Sequence, residues 1–177
     1  MKFIKTELKD AYLIQLEQKN DERGYFARSF CRKSFLEQGL ESNFDQCSIS
    51  FNKKKNTLRG LHYQISPYEE IKLVRCIRGE IYDVIVDIRP DSPTYKKWIG
   101  VVLSESNLNA LYVPKGFAHG FLTLQDDSEV FYHISSFYYP SHARTVPWND
   151  PALSINWPIE GDLIISSKDE NCMDFIK

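Results

Sequence analysis

The chain has 177 residues, of which 42% are hydrophobic and 26% are charged, a composition that fits one globular domain and excludes a disordered chain. With 22 Lys and Arg residues against 24 Asp and Glu residues, the formal net charge of -2 lacks the basic excess of non-specific nucleic-acid binders. No apolar stretch is long enough for a membrane span or a signal peptide. We therefore expect a single cytoplasmic domain over residues 1–177, with no nucleic-acid or membrane partner.

The predicted elements begin with a short helical pattern and continue as strands. Residues 33–38 have the helical pattern, and a second short helical piece is expected near the end of the chain. Three pairs of alternating apolar runs follow one another, and the first pair is predicted to be a β-hairpin with a turn at Gly79. The pairs are 72–77 with 81–88, 97–103 with 110–113, and 117–125 with 129–137. Short strands of this kind predict an antiparallel sandwich or barrel, followed by an ordered proline-rich coil over residues 140–158.

The segment 58–64 places a histidine on a predicted strand, close to an arginine and a glycine. An imidazole exchanges protons near neutral pH, so His62 is a candidate general base, although a structural core histidine is the alternative. Strict alternation puts Arg59 and His62 on opposite faces of a strand. Both can reach one pocket only if Gly60 marks a bend or a bulge.

Charged residues also interrupt the apolar runs that follow. Lys72 and Arg75 have odd spacing, so one of them should point inward, where a lysine could stabilise an oxyanion; a solvent-exposed lysine is the alternative. Asp83 and Asp87 share a face with Ile81, and a carboxylate on an apolar face is unusual unless it is paired. We therefore select Asp83 as a site candidate.

The segment 114–121 resembles the second half of the cupin motif, P-x-G-x-x-H, with His119 as its histidine. Metal cupins add an H-x-H pair from the first half, but the corresponding place here reads His62, Tyr63 and Gln64. The usual shell of three histidines and one glutamate cannot be assembled, so we expect no metal. Four widely separated cysteines without a C-x-x-C pair give no support to a zinc site either.

Six segments of the chain occur together in an order and spacing that resemble one enzyme family. They are 21–26, 58–64, 72–75, 87–95, 114–121 and 148–151. The family is that of the dTDP-4-dehydrorhamnose 3,5-epimerases, and the resemblance covers essentially the whole chain. It implies an all-β, cupin-type antiparallel β-barrel (jelly roll) with short peripheral helices, no metal or organic cofactor, and a homodimer in which N-terminal strands cross to the partner.

The resemblance also implies the roles of individual residues. The substrate is a nucleotide-diphosphate sugar whose 4-keto group acidifies the C–H bonds at C3 and C5. By similarity, His62 is the base and Asp169 orients its ring. Lys72 stabilises the charge on the enolate oxygen, and Tyr132 returns a proton from the opposite face. The implied substrate contacts are Arg23, Phe26, Arg28, Gln46, Ser48, Arg59, His119 and Tyr138.

Two positions depart from the family pattern. The glutamate that ends R-G-x-F-x-E is Arg28 here, and the asparagine of Q-x-N-x-S is Ser48. A carboxylate accepts the N3–H of thymine, whereas a guanidinium can only donate, for example to O6 and N7 of guanine. We hypothesise that Arg28 shifts the base preference toward GDP-linked sugars; an exposed arginine that contacts nothing is the alternative.

The leading hypothesis is metal-independent epimerisation at C3, C5 or both through an enolate. Relatives that invert C3 alone keep the same histidine and tyrosine, so these residues leave the number of inverted carbons open. The competing hypotheses are a sugar 3,4-ketoisomerase and a non-catalytic sugar-nucleotide-binding cupin. The complete set of His62, Lys72, Tyr132 and Asp169 favours an enzyme, because binding alone requires neither a base nor an acid.

Overall fold

Two antiparallel sheets face each other in the structure, a computed structural model that describes residues 1–172. The strands are β1 (Lys2–Lys5), β2 (Tyr12–Gln15), β3 (Gln18–Asp21), β4 (Gly24–Ala27), β5 (Gln46–Asn52), β6 (Thr57–Gln64), β7 (Lys72–Arg78), β8 (Glu80–Asp87), β9 (Trp98–Ser104), β10 (Ala110–Val113), β11 (Phe117–Thr123), β12 (Ser128–Ile134), β13 (Ala143–Thr145) and β14 (Ile164–Ile165). The first sheet has the order β1-β2-β10-β7-β12-β5 and the second has the order β13-β6-β11-β8-β9. The strand β14 pairs with β6 in parallel, and β3 and β4 form a separate hairpin.

The strands predicted in consecutive pairs are all present, but the two members of each pair lie in different sheets. Gly79 alone separates β7 from β8, with a φ of +72°. A single residue is too short for the two-residue turn that joins hairpin strands. The predicted hairpin is therefore wrong in its pairing, because β7 pairs with β10 and β12 whereas β8 pairs with β9 and β11. Crossing between the sheets from β5 to β8 and again from β9 to β12 produces a jelly roll.

The core has three layers, which explains why the central strands β7, β8, β10 and β11 bury both faces. Between the sheets, Val74 of β7 and Phe121 of β11 are fully buried in the central layer. The outer face of the second sheet is covered by the segment after β13, with Trp157 packed near Leu58. On the outer face of the first sheet, Phe35 belongs to a third layer. These layers fix the positions of the strands on either side of the space between the two sheets.

The helices are short and peripheral. The predicted helix at residues 33–38 is confirmed as α1 (Arg32–Glu37), and α2 (Ser167–Glu170) is the short helical piece near the end. None of the helices found within residues 1–172 has both the length and the apolar character that a membrane crossing requires.

The proline-rich segment is mainly ordered coil, as predicted. The Trp157 side chain is buried, and its Nε1 donates to the Trp148 carbonyl at 2.8 Å. The exception is β13, which lies antiparallel to β6. Three residues are too few to show an alternating pattern, which is why the sequence did not reveal this strand.

Candidate active site

A cavity of about 680 Å³ opens between the two sheets, and most of the predicted site residues line it. Arg59 and His62 on β6 and His119 on β11 form the wall from the second sheet. Lys72 on β7 and Tyr132 on β12 form the wall from the first sheet. The imidazole of His62 and the phenol of Tyr132 therefore enter one space from facing walls.

A bulge at Gly60 lets two residues at odd spacing reach this cavity. The pairing of β6 with β11 shifts register between His62 and Arg59, as the sequence required if both were to serve one pocket. Gly60 has a φ of +121°, a conformation that L side chains rarely adopt. A Cβ added there would lie 2.6 Å from the Cα of Gly120. The position therefore needs a glycine both for its backbone conformation and for the close approach of β11.

His62 forms a dyad with Asp169. The His62 Nε2 lies 2.7 Å from the Asp169 Oδ1, while 42% of the His62 side chain is exposed toward the cavity. Because a carboxylate only accepts, Nε2 carries the hydrogen, and in the neutral ring Nδ1 keeps its lone pair. Burial opposes ionisation of Asp169, but hydrogen bonds from His62 and from the backbone N–H of Gly60 outweigh it and lower the Asp169 pKa. Asp169 is thus a carboxylate that orients the ring.

The start of α2 places this carboxylate. Ser166 is the N-cap residue, and its side chain accepts a hydrogen bond from the backbone N–H of Asp169. The short strand β14 just before it pairs with β6, the strand that carries His62. Residues far apart in the chain are therefore brought together by β-pairing and a helix cap.

Tyr132 occupies an environment that keeps its phenol protonated. Burial raises its pKa well above the ordinary value, and the negative charge of Asp83 raises it further. The ring of Tyr132 meets that of His119 edge-on, with centroids 6.0 Å apart. A protonated phenol facing the cavity can donate a proton but does not serve readily as a base.

His119 and Asp83 form a second buried pair. The His119 Nε2 lies 2.7 Å from the Asp83 Oδ1, and the two side chains are 4% and 0% exposed. Asp83 does not itself line the cavity, so it reaches the site through His119. Its other oxygen, Oδ2, is one of two buried polar side-chain atoms in the described part of the chain that have no hydrogen-bond partner. The Asp83 carboxylate lies behind the cavity wall, where its negative charge disfavours a phenolate at Tyr132.

Positive charge dominates the cavity wall, which suits a phosphate-bearing ligand. Arg59, Lys72, Arg144 and Lys168 contribute it. Asn52, which the sequence analysis did not select, accepts a hydrogen bond from the Arg59 Nε at 2.8 Å and so leaves the Nη groups for other partners. Within residues 1–172, no group of three or more His, Cys, Asp or Glu side chains is arranged to hold a metal ion.

The other predicted contacts divide between the cavity and the surface. Gln46 and Tyr138 line the cavity. By contrast, Arg23, Phe26, Arg28 and Ser48 lie outside the cavity of their own chain. The Arg23 side chain is 84% exposed and pairs with its neighbour Asp21 in the β3–β4 hairpin.

Comparison with known proteins identifies the family. Residues 5–177 match the family model described as dTDP-4-dehydrorhamnose 3,5-epimerase. An enzyme of that name from Methanothermobacter thermautotrophicus is 48% identical over 172 residues, covering 96% of this chain and 92% of the relative. The crystal structure of an enzyme of that name from Elizabethkingia anophelis has a TM-score of 0.96 and 42% identity, covering 99% and 96% of the two chains. Another, from Bacillus anthracis with TDP and PPi bound, has a TM-score of 0.94 and 42% identity, covering 98% of each chain.

The jelly roll and these matches define an isomerase, specifically an epimerase of nucleotide-linked sugars with a cupin-type barrel. The chain belongs to the dTDP-4-dehydrorhamnose 3,5-epimerase family. The fold and family expected from the sequence are thereby confirmed.

Proposed function

We propose that this enzyme inverts C3 and C5 of a dTDP-linked 4-keto-6-deoxy sugar through enolate intermediates. The observation that carries the proposal is the placement of His62 and Tyr132 on facing walls of one cavity. Inversion requires a proton to leave one face of a carbon and another to arrive at the opposite face. A base and an acid on facing walls meet this requirement without a change of substrate orientation.

In the proposed reaction, the Nδ1 of His62 removes the proton from the carbon next to the carbonyl. The C–H electron pair moves into a C=C bond, and the carbonyl π electrons move to O4, which becomes an oxyanion. Asp169 stabilises the imidazolium that forms, since its carboxylate already lies 2.7 Å from the His62 Nε2. The base thereby gains a fixed tautomer and a counter-charge.

Lys72 and Tyr132 complete the cycle. The ammonium of Lys72 stabilises the oxyanion at O4. The phenol of Tyr132 then gives its proton to the opposite face of the carbon while the O4 electrons re-form the carbonyl. Because burial keeps the Tyr132 pKa high, the phenolate readily regains a proton from solvent. The imidazolium of His62 releases its proton to solvent, so both groups are reset before the next turnover.

Solvent exchange tests this function directly. The enzyme is incubated in D2O with the dTDP-4-keto-6-deoxy sugar, and incorporation is followed by proton NMR. We expect deuterium at both C3 and C5. Deuterium at C3 alone indicates a C3-only epimerase, a constitutional isomer indicates a ketoisomerase, and bound but unlabelled nucleotide sugar indicates a binding protein.

The nucleotide is tested in the same assay with the GDP-linked substrate. We infer the thymidine nucleotide because a relative has been solved with TDP bound. We expect a higher kcat/KM with the dTDP-linked sugar. A preference for the GDP-linked sugar instead supports the hypothesis that Arg28 reads the base.

The proposal extends to a homodimer in which the β3–β4 hairpin contributes to the partner's cavity. All four residues of β3 are exposed, as are the first three of β4, including Phe26 at 68%. An isolated two-stranded hairpin is marginally stable in water, and exposed aromatic residues on it suggest an interface. Arg23 on this hairpin can then offer its guanidinium to a diphosphate in the partner's cavity.

Mixing two inactive variants tests whether the β3–β4 hairpin reaches the partner's cavity. An Arg23→Ala protein and a His62→Asn protein are unfolded together, refolded and assayed. If Arg23 serves the partner's cavity, each hybrid dimer has one unaltered site, so random mixing restores about a quarter of normal activity. If the mixture stays inactive although light scattering shows dimers, the hairpin serves its own chain.

A further inference from the structure

A chain of side-chain contacts joins Lys72 to two further residues of the cavity wall, Glu70 and Gln64, that have no assigned role. The Lys72 Nζ is 3.0 Å from the Glu70 Oε1. The Gln64 Nε2 donates to the Glu70 Oε2 at 2.8 Å. The side chains of Lys72 and Glu70 are only 10% and 12% exposed, and Gln64 is 4% exposed. Both oxygens of Glu70 are therefore engaged by protein side chains, although Glu70 lines the cavity.

The donors of Lys72 are divided between protein and cavity. Besides Glu70, the Nζ donates to the His62 backbone carbonyl at 3.3 Å. An ammonium has three N–H donors, so these contacts leave one for an oxygen in the cavity. They also restrict a flexible side chain before the substrate binds, so the entropy cost of ordering it is not charged against the reaction. Lys72 is thus pre-oriented, and one of its contacts is the backbone of the residue proposed as base.

Gln64 in turn fixes the orientation of Glu70. The Gln64 Oε1 accepts from the Tyr139 backbone N–H at 2.7 Å. Its Nε2 also lies 3.1 Å from the carbonyl oxygens of Tyr68 and Phe137. If the Gln64 amide rotated by half a turn, its NH2 group would face the Tyr139 N–H, and two hydrogen-bond donors would then oppose each other. The Gln64 Nε2 therefore always faces residue 70, where only a hydrogen-bond acceptor makes a favourable contact.

We propose that Glu70, held by Gln64, is a positioning residue that directs the Lys72 ammonium toward the O4 oxyanion. The inference rests on the proposed function, because it requires that Lys72 act on O4. The negative charge of Glu70 also balances the charge of the Lys72 ammonium in an environment that is largely shielded from solvent. The carboxylate does not need to touch the substrate.

The test uses two variants. Glu70→Gln keeps the shape, but its NH2 group must face either the Gln64 nitrogen or the Lys72 ammonium, so one favourable contact becomes repulsive. Glu70→Ala removes both acceptors and adds no donor. If Glu70→Gln does not fold, Glu70→Ala therefore tests whether position 70 orients Lys72. We expect either variant to lower kcat about tenfold and to change KM less than about twofold. Glu160→Gln, which disrupts the exposed Lys55–Glu160 pair, is the matched control and should leave kcat unchanged.

A double-mutant cycle separates positioning from a general structural role. Lys72→Met should lower kcat about a hundredfold, and adding Glu70→Gln to it should cause no further loss, because Glu70 acts through that lysine. The same fractional loss with and without Lys72, or a normal kcat in the Glu70 variants, overturns the inference. If the unaltered enzyme neither exchanges nor epimerises the substrate, the proposed function fails instead, so the two failures are distinguishable.

Discussion

His62→Asn is expected to lower deuterium incorporation at C3 and C5 by about a thousandfold or more, whereas the affinity for dTDP changes less than about threefold. The asparagine side chain is uncharged and smaller than the imidazole, so it fits the vacated space and leaves the nucleotide contacts in place. It cannot accept a proton from carbon at neutral pH, so the first step of the reaction is lost. Proton NMR in D2O measures the exchange, and calorimetric titration measures the binding of dTDP.

The matched control for this variant is His142→Asn. His142 lies outside the cavity, where its ring meets that of Tyr68 edge-on. We expect this variant to exchange at the normal rate. If His62→Asn also exchanges at a normal rate, another group removes the proton and the proposed mechanism is wrong.

Tyr132→Phe is expected to separate the two halves of the reaction. His62 remains in place, so a proton can still leave and a deuteron can return to the same face of the carbon. Inversion should fall about a hundredfold or more, because no donor remains on the facing wall. The result is a labelled substrate with unchanged configuration, which proton NMR distinguishes from the epimer by its coupling constants.

The control for this second variant is Tyr82→Phe, which removes a phenolic hydroxyl outside the cavity. Tyr82 lies on β8 and packs against Trp157 on the outer face of the second sheet. We expect normal exchange and normal inversion. Equal losses of exchange and inversion in Tyr132→Phe contradict the assigned division of labour, as does undiminished inversion.

The positions of the central strands could be predicted from the sequence, whereas their partners could not. In β7, β8, β11 and β12 the apolar residues reveal a buried strand because the core selects them. Pairing depends instead on contacts distant in the chain, such as those between β5 and β12. The residues of β3, Gln18–Asp21, are polar and exposed, so they carry no signal from a core.

The candidate site could also be predicted in part from the sequence. His62 and Lys72 could be selected from chemistry and neighbouring residues, and the bulge at Gly60 was required by their spacing. Asp169 is 107 residues away from His62, so only the family resemblance linked them. Glu70 and Gln64 were missed, although each lies two residues from a predicted site residue and therefore on the same face of an extended chain.

The crossing of consecutive strands between sheets has a consequence for synthesis on the ribosome. Until β10, β11 and β12 have emerged, β5, β6 and β7 have none of their antiparallel neighbours. Before then only local hairpins such as β1–β2 and β8–β9 can form. The nascent polypeptide therefore carries unpaired apolar strands through most of translation, a state in which chaperones protect a chain from aggregation.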